Sequence, residues 1–166
     1  MKTITRSNIY LPMAAIILTA ALAVPAEAQQ QIPFKGTFQG QDAHDTLPPG
    51  TTTVVIRTTA TGIGTHLGQF SLIREVTGNL ANFTDTGSAH WIAANGDSID
   101  TTIAGSGQPT DTPGEFRITD IHTITGGTGR FAGAQGSFTV ERLANVVTFL
   151  TWGSFHGTIT SPGAAH

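Results

Sequence analysis

The residues with most chemistry to offer are two arginines and an Asp-x-His pair: Arg74, Asp120, His122 and Arg142. Each lies where apolar and polar residues alternate, and residues two apart on an extended strand face the same way. If Phe116, Ile118 and Ile124 mark the inward side of their strand, Asp120 and His122 point inward with them. The same rule sets Arg74 beside Phe70 and Leu72, and Arg142 beside Phe138 and Val140. Isolated charges in an apolar interior are costly, so these four groups are expected to pair. One reading makes them the polar end of an apolar pocket, with Arg74 or Arg142 binding a carboxylate or phenolate and Asp120 orienting His122 as acid or base. The other makes them an internal ion-pair network that closes one end of the fold and catalyses nothing. Phe34, Phe38, Phe70, Leu72, Ile118 and Phe138 are the expected apolar lining of the cavity.

Other side chains offer less. His44 stands between Asp42 and Asp45, but no H-x-H or H-x-x-x-H accompanies it. His66, His90 and His156 are scattered singly, so no metal site and no cofactor are expected. Ser71, Ser88 and Ser137 lack the G-x-S-x-G elbow of a hydrolase nucleophile. Trp91 and Trp152 suit either a cavity lining or plain packing. Gly127 to Ala132 spells G-x-G-x-x-A, the outline of a dinucleotide fingerprint. That motif needs a helix whose N-terminal amides face the phosphates, and here Gly133 and Gly136 interrupt any helix before the next strand begins.

Strands must position these residues. Eight alternating or β-branched stretches recur: Phe34 to Gly40, Thr51 to Thr59, Leu67 to Thr77, Phe83 to Ala94, Ile99 to Ser106, Phe116 to Thr125, Ser137 to Leu143 and Val147 to Ile159. Turn-rich Asp42 to Gly50 and the run Thr61 to Thr65 read as breaks, and Asn95-Gly96-Asp97 as a tight hairpin. The expected fold is all-β, an eight-stranded antiparallel β-barrel, because eight hairpin-linked strands can close and remove their edges. A two-layer sandwich is the alternative, since spacing does not show whether the first and last strands pair.

Before the strands comes an address. Lys2 and Arg6 precede the apolar run Leu11 to Val24, and Ala26-Glu27-Ala28 supplies a small-x-small cleavage site. Residues 1–28 therefore read as a signal peptide and residues 29–166 as a single barrel domain, secreted or periplasmic, with no membrane partner after cleavage. Only 11% of the 166 residues are charged, under half the roughly 25% of an ordinary domain. Threonine is the commonest residue, so surface polarity comes from hydroxyls. The formal charge of -3 leaves no footprint for a phosphate backbone, which excludes nucleic acid as an expected partner. With no cysteine, core packing alone must hold the fold.

The segment Ile121 to Arg142, IHTITGGTGRFAGAQGSFTVER, carries the pattern T-G-G-T/S-G-x-F-x-G-x-x-G through Thr125, Gly126, Gly127, Thr128, Gly129, Phe131, Gly133 and Gly136. It resembles the strand, glycine corner and strand of the allene oxide cyclase and dirigent barrel superfamily, and the match covers about a third of the chain after the leader. The resemblance implies an eight-stranded barrel with an apolar cavity, often assembled as a homotrimer. Characterised plant members cyclise an unstable fatty-acid epoxide or steer the coupling of phenoxy radicals. The plant cyclase uses a carboxylate near the start of its barrel; Phe38-Gln39-Gly40-Gln41 stands in that region here, with Asp42 just beyond.

Three functions follow as expectations. The first is an exported barrel that binds a small apolar or amphipathic molecule. The second is an isomerase or cyclase acting on a fatty-acid-derived or phenolic substrate, folding it into a reactive conformer away from water. The third is an extracellular structural or surface-interaction protein with a threonine-rich exterior.

Overall fold

The structure is a computed structural model that describes residues 30–160, so the expected leader and its cleavage site lie outside the described residues. Eight strands follow in order: β1 (Gln31–His44), β2 (Thr53–Gly64), β3 (Gly68–Asn79), β4 (Thr84–Ala93), β5 (Ser98–Pro109), β6 (Glu115–Gly127), β7 (Gly136–Asn145) and β8 (Leu150–Thr160). Each pairs antiparallel with the next, and β8 returns to pair with β1 from Gln31 opposite Thr160 to Gln41 opposite Leu150. The sheet is a closed up-and-down barrel, and the sandwich falls away.

Two expected breaks are strand instead. β1 runs on through Asp42, which lies opposite Thr58. The Thr61 to Thr65 run continues β2 as far as Gly64. Its glycines meet a packing demand rather than a turn: a Cβ at Gly64 would stand 2.8 Å from the Phe155 ring. A one-residue bulge does occur, where Asp100 lies opposite Gly126 but Thr101 lies opposite Ile124. Thr125 is the extra residue. Because it follows Ile124, the alternation through Asp120 and His122 is undisturbed, and both are buried.

The two ends of the barrel differ. At the end where β1 begins, Leu67, Phe131 and Ala134 fold inward from the β2–β3 and β6–β7 connections and pack among Phe34, Ile99 and Ile159. The glycine corner holds a single 3-10 turn, Gly129–Phe131, whose purpose in packing is to bury the Phe131 ring. Behind this plug, Trp91 stands at the centre of an aromatic layer, with ring centroids 5.3 Å from Phe70, 5.3 Å from Phe138 and 5.2 Å from Phe155. This half of the tube is filled with side chains. Burying each large apolar side chain contributes roughly 1.5–3 kcal/mol, so the plugged half supplies most of the core.

Candidate functional site

Across the middle of the tube lies a layer of charge. Arg74 reaches it from β3, Asp120 from β6 and Arg142 from β7, as the alternation of their strands requires. Two carboxylates that the sequence reading did not place inward complete it: Asp42 on β1 and Asp85 on β4. Arg74 Nη2 donates to Asp85 Oδ2 at 2.8 Å and to Asp120 Oδ2 at 3.0 Å. Arg142 Nη1 donates to Asp42 Oδ2 at 3.1 Å and to the Thr151 hydroxyl at 3.0 Å, while its Nε lies 3.6 Å from Asp120 Oδ2. Thr58 donates to the other Asp42 oxygen at 2.6 Å. The result is an alternating chain, Asp42, Arg142, Asp120, Arg74, Asp85.

Three carboxylates against two guanidiniums leave one surplus negative charge or one bound proton. Asp85 is where the proton is favoured: burial first, then the adjacent Asp120, raise its pKa above the ordinary carboxylate value, against the pull of Arg74. The geometry agrees. Asp85 Oδ1 and Asp120 Oδ1 both lack a protein partner, and both converge on the space over Gly105, where any Cβ would collide with them. Burial and then the charge of Arg142 lower the Arg74 pKa, with the three carboxylates opposing.

His122 sits one inward position away, among the aromatic rings. It stacks on Phe138 with centroids 4.9 Å apart and meets Trp91 edge-on. Its Nδ1 lies 3.0 Å from the Thr101 hydroxyl, which donates to the Ala89 carbonyl. Thr101, not Asp120, therefore orients the imidazole, which corrects the expected Asp120–His122 pairing. Burial above all, then Arg74 and Arg142, push its pKa down to about 3, with Asp120 opposing. His122 is a neutral packing group at neutral pH.

Beyond the charged layer the tube opens. A cavity of about 150 Å³ occupies the mouth, floored by Asp42, Asp85 and Arg142 and walled by apolar side chains that include Phe83, Phe116, Ile118 and Phe149. Asx turns shape the rim: Asn145 Oδ1 accepts the backbone amides of Val147 and Thr148, and Asn82 Oδ1 accepts that of Thr84. They leave Phe83 at φ 56° and Phe149 at φ 61°, left-handed conformations that bulky residues seldom adopt. Such strain costs of order 1–3 kcal/mol per residue and gathers at functional sites.

The expected lining is corrected accordingly. Of the six residues assigned to it, Ile118 lines the mouth. Phe34, Phe38, Phe70, Leu72 and Phe138 belong to the packed core instead, because rings from facing strands meet at the centre and leave no space. Trp91 packs there too, and Trp152 is on the outer wall. His44 borders the mouth, His90 pairs with Asp100 outside at 2.6 Å, and His66 hydrogen-bonds the Pro33 carbonyl.

No family model matches the sequence, and no curated protein matches it. A solved structure does: a pterocarpan synthase dirigent protein aligns over 87% of this chain and 99% of its own, with a TM-score of 0.60 and 10% identity. The fold is a dirigent-like barrel. The closed ring of eight antiparallel strands is common to both, and at that identity the likeness concerns architecture alone.

Proposed function

We propose that the barrel binds a small amphipathic molecule at its mouth, head down on the charged floor. The observation that carries this is a buried donor and acceptor without protein partners under apolar walls: Arg142 Nη2 and Asp85 Oδ1, on two residues that floor the cavity. A neutral hydroxyl suits such a floor, because it can accept from the guanidinium and either donate to or accept from the Asp85 carboxyl. With three carboxyl groups set against two guanidiniums, the charged layer offers an anionic head no spare positive charge, so a neutral hydroxyl is preferred to a carboxylate. The apolar body then lies along Phe83, Phe116 and Phe149, replacing water against their rings. A cavity of about 150 Å³ is smaller than the roughly 300–1,000 Å³ of a drug-sized site; it takes one ring or a short chain and leaves the rest in the opening.

Calorimetric titration of the whole chain with 4-propylphenol, 4-propylanisole and 4-propylbenzoate tests the reading. The phenol is expected to bind more tightly than the capped ether, and the carboxylate most weakly. Heat from none of the three, or equal affinity for all, overturns it. A second reading, an isomerase or cyclase, has one observation in its favour: the raised pKa of Asp85 sets a carboxyl proton beside the place the ligand hydroxyl takes. Product formation from a bound phenolic or epoxide substrate that disappears in Asp85→Asn would establish it.

A further inference from the structure

Outside, the barrel carries a second concave surface that the mouth does not explain. A ring of tilted, twisted strands narrows at its waist, and here the waist is an open groove of about 1380 Å³. A row of outward side chains follows it from Arg117 on β6, through Leu143, Trp152, Gln39, Thr61 and Ser71, to Ile92 on β4, each step being a direct cross-strand pairing. Glu141, Thr37 and Gln69 belong to the adjoining row. Trp152 is 42% exposed, its indole standing open beside the Gln39 amide.

The chemistry of this lining is particular. Trp152 has Leu143 on one side and Gln39 on the other, and along the groove the apolar Ile63 and Ile92 are interspersed with neutral amides and hydroxyls, each able to donate and accept. Of the charged residues that border the groove, Arg142 is turned inward to its carboxylates, while Arg117 and Glu141 cancel. A wholly apolar ligand would leave the amides without partners at a cost, and a polyanion would find no excess of positive charge. A sugar ring fits both parts, with C–H faces for the indole and a rim of hydroxyls for the amides and threonines. Seven strands spaced about 4.8 Å apart give an arc of roughly 29 Å, longer than any single sugar.

We infer that the waist groove binds a neutral oligosaccharide, with one ring seated on Trp152 and its neighbours hydrogen-bonded to Gln39, Thr61 and Gln69. This site is separate from the mouth and does not depend on what the mouth holds. Affinity electrophoresis of the full chain through gels containing soluble xylan, mixed-linkage β-glucan or mannan tests it. At least one polysaccharide is expected to slow the protein, and Trp152→Ala to weaken that binding by about tenfold or more. Gln39→Ala should weaken it less, and Phe149→Ala, at the mouth, should leave it unchanged. Trp152 is on the surface, so the variant is expected to melt with the parent protein, which a thermal scan checks. Unaltered migration in all three gels overturns the assignment, as does retardation that survives Trp152→Ala or is lost with Phe149→Ala. Light scattering supplies the remaining outcome: an assembly that Trp152→Ala dissolves would make the groove a contact between copies of the chain and overturn the inference.

Discussion

The two ends of this barrel are built from the same eight strands and put to opposite uses. At one, Leu67 and Phe131 fold into the bore and are 2% and 0% exposed. At the other, Phe83 and Phe149 are 45% and 39% exposed, held at the rim in left-handed backbone. The strands do not make that difference; the connections do. A glycine-rich corner lets the chain turn tightly enough to drop a ring inward, whereas turns closed by Asn82 and Asn145 hold their rings at the opening. A hollow mouth on a packed base shows that closing a sheet does not by itself create a pocket. Space is left where the connections stay out of it.

Several substitutions would break or sharpen that contrast. Asp120→Ala should have the largest effect, because it removes the buried carboxylate that both guanidiniums share and leaves Arg74 with Asp85 alone and Arg142 with Asp42 alone; about 3–5 kcal/mol of stability is expected to go, measured by urea unfolding. Phe131→Ala should cost a similar or slightly smaller amount, about 3–5 kcal/mol, by opening a cavity in the plug. If either variant unfolds at the midpoint of the parent protein, the plugged half is not the source of stability. Acid should act next. Burial pushes the His122 pKa down to about 3 in the folded chain, from the 6.5 of a free imidazole, so the unfolded chain binds the extra proton between those values. Stability is complete above the unfolded pKa and declines as pH falls toward the folded one, by up to about 1.4 kcal/mol per pH unit. The raised pKa of Asp85 works in the opposite sense, since its proton is held more firmly in the folded state. Denaturation curves across pH for His122→Phe should lose the downward slope; an unchanged slope would mean the imidazole is not buried neutral. Phe149→Ala should matter least to folding, within about 0.5 kcal/mol, because it also changes a partly exposed, strained position. It should nevertheless weaken 4-propylphenol binding. A large drop in stability with binding intact would reverse the roles given to the two ends.

Much of this arrangement was legible from alternation alone. Arg74, Asp120 and Arg142 each follow a run of large apolar residues in strict phase, so their burial could be read from their neighbours. Asp85 is equally in phase with Ala89 and Trp91, but Gly87 and Ala89 lie between and weaken the apolar signal. Asp42 is in phase with Phe34 and Phe38, yet the prolines and glycine that follow suggested a turn too early. Whether the bore is full was beyond any single strand's pattern. Filling depends on how the volumes of Phe38, Phe70, Trp91, Phe138 and Phe155 add across five strands, and on loop residues such as Phe131 whose direction alternation does not describe. The partner of His122 was hidden for a related reason: Thr101 comes from the neighbouring strand, past a bulge that shifts which residues face one another.

The pairing of Gln31 with Thr160 brings both ends of the barrel's chain to its sealed base. A tag, linker or surface attachment joined at either place would hang from the side away from the mouth, leaving the opening directed outward and unobstructed. An immobilised form tethered there would keep its entrance as accessible as in free solution.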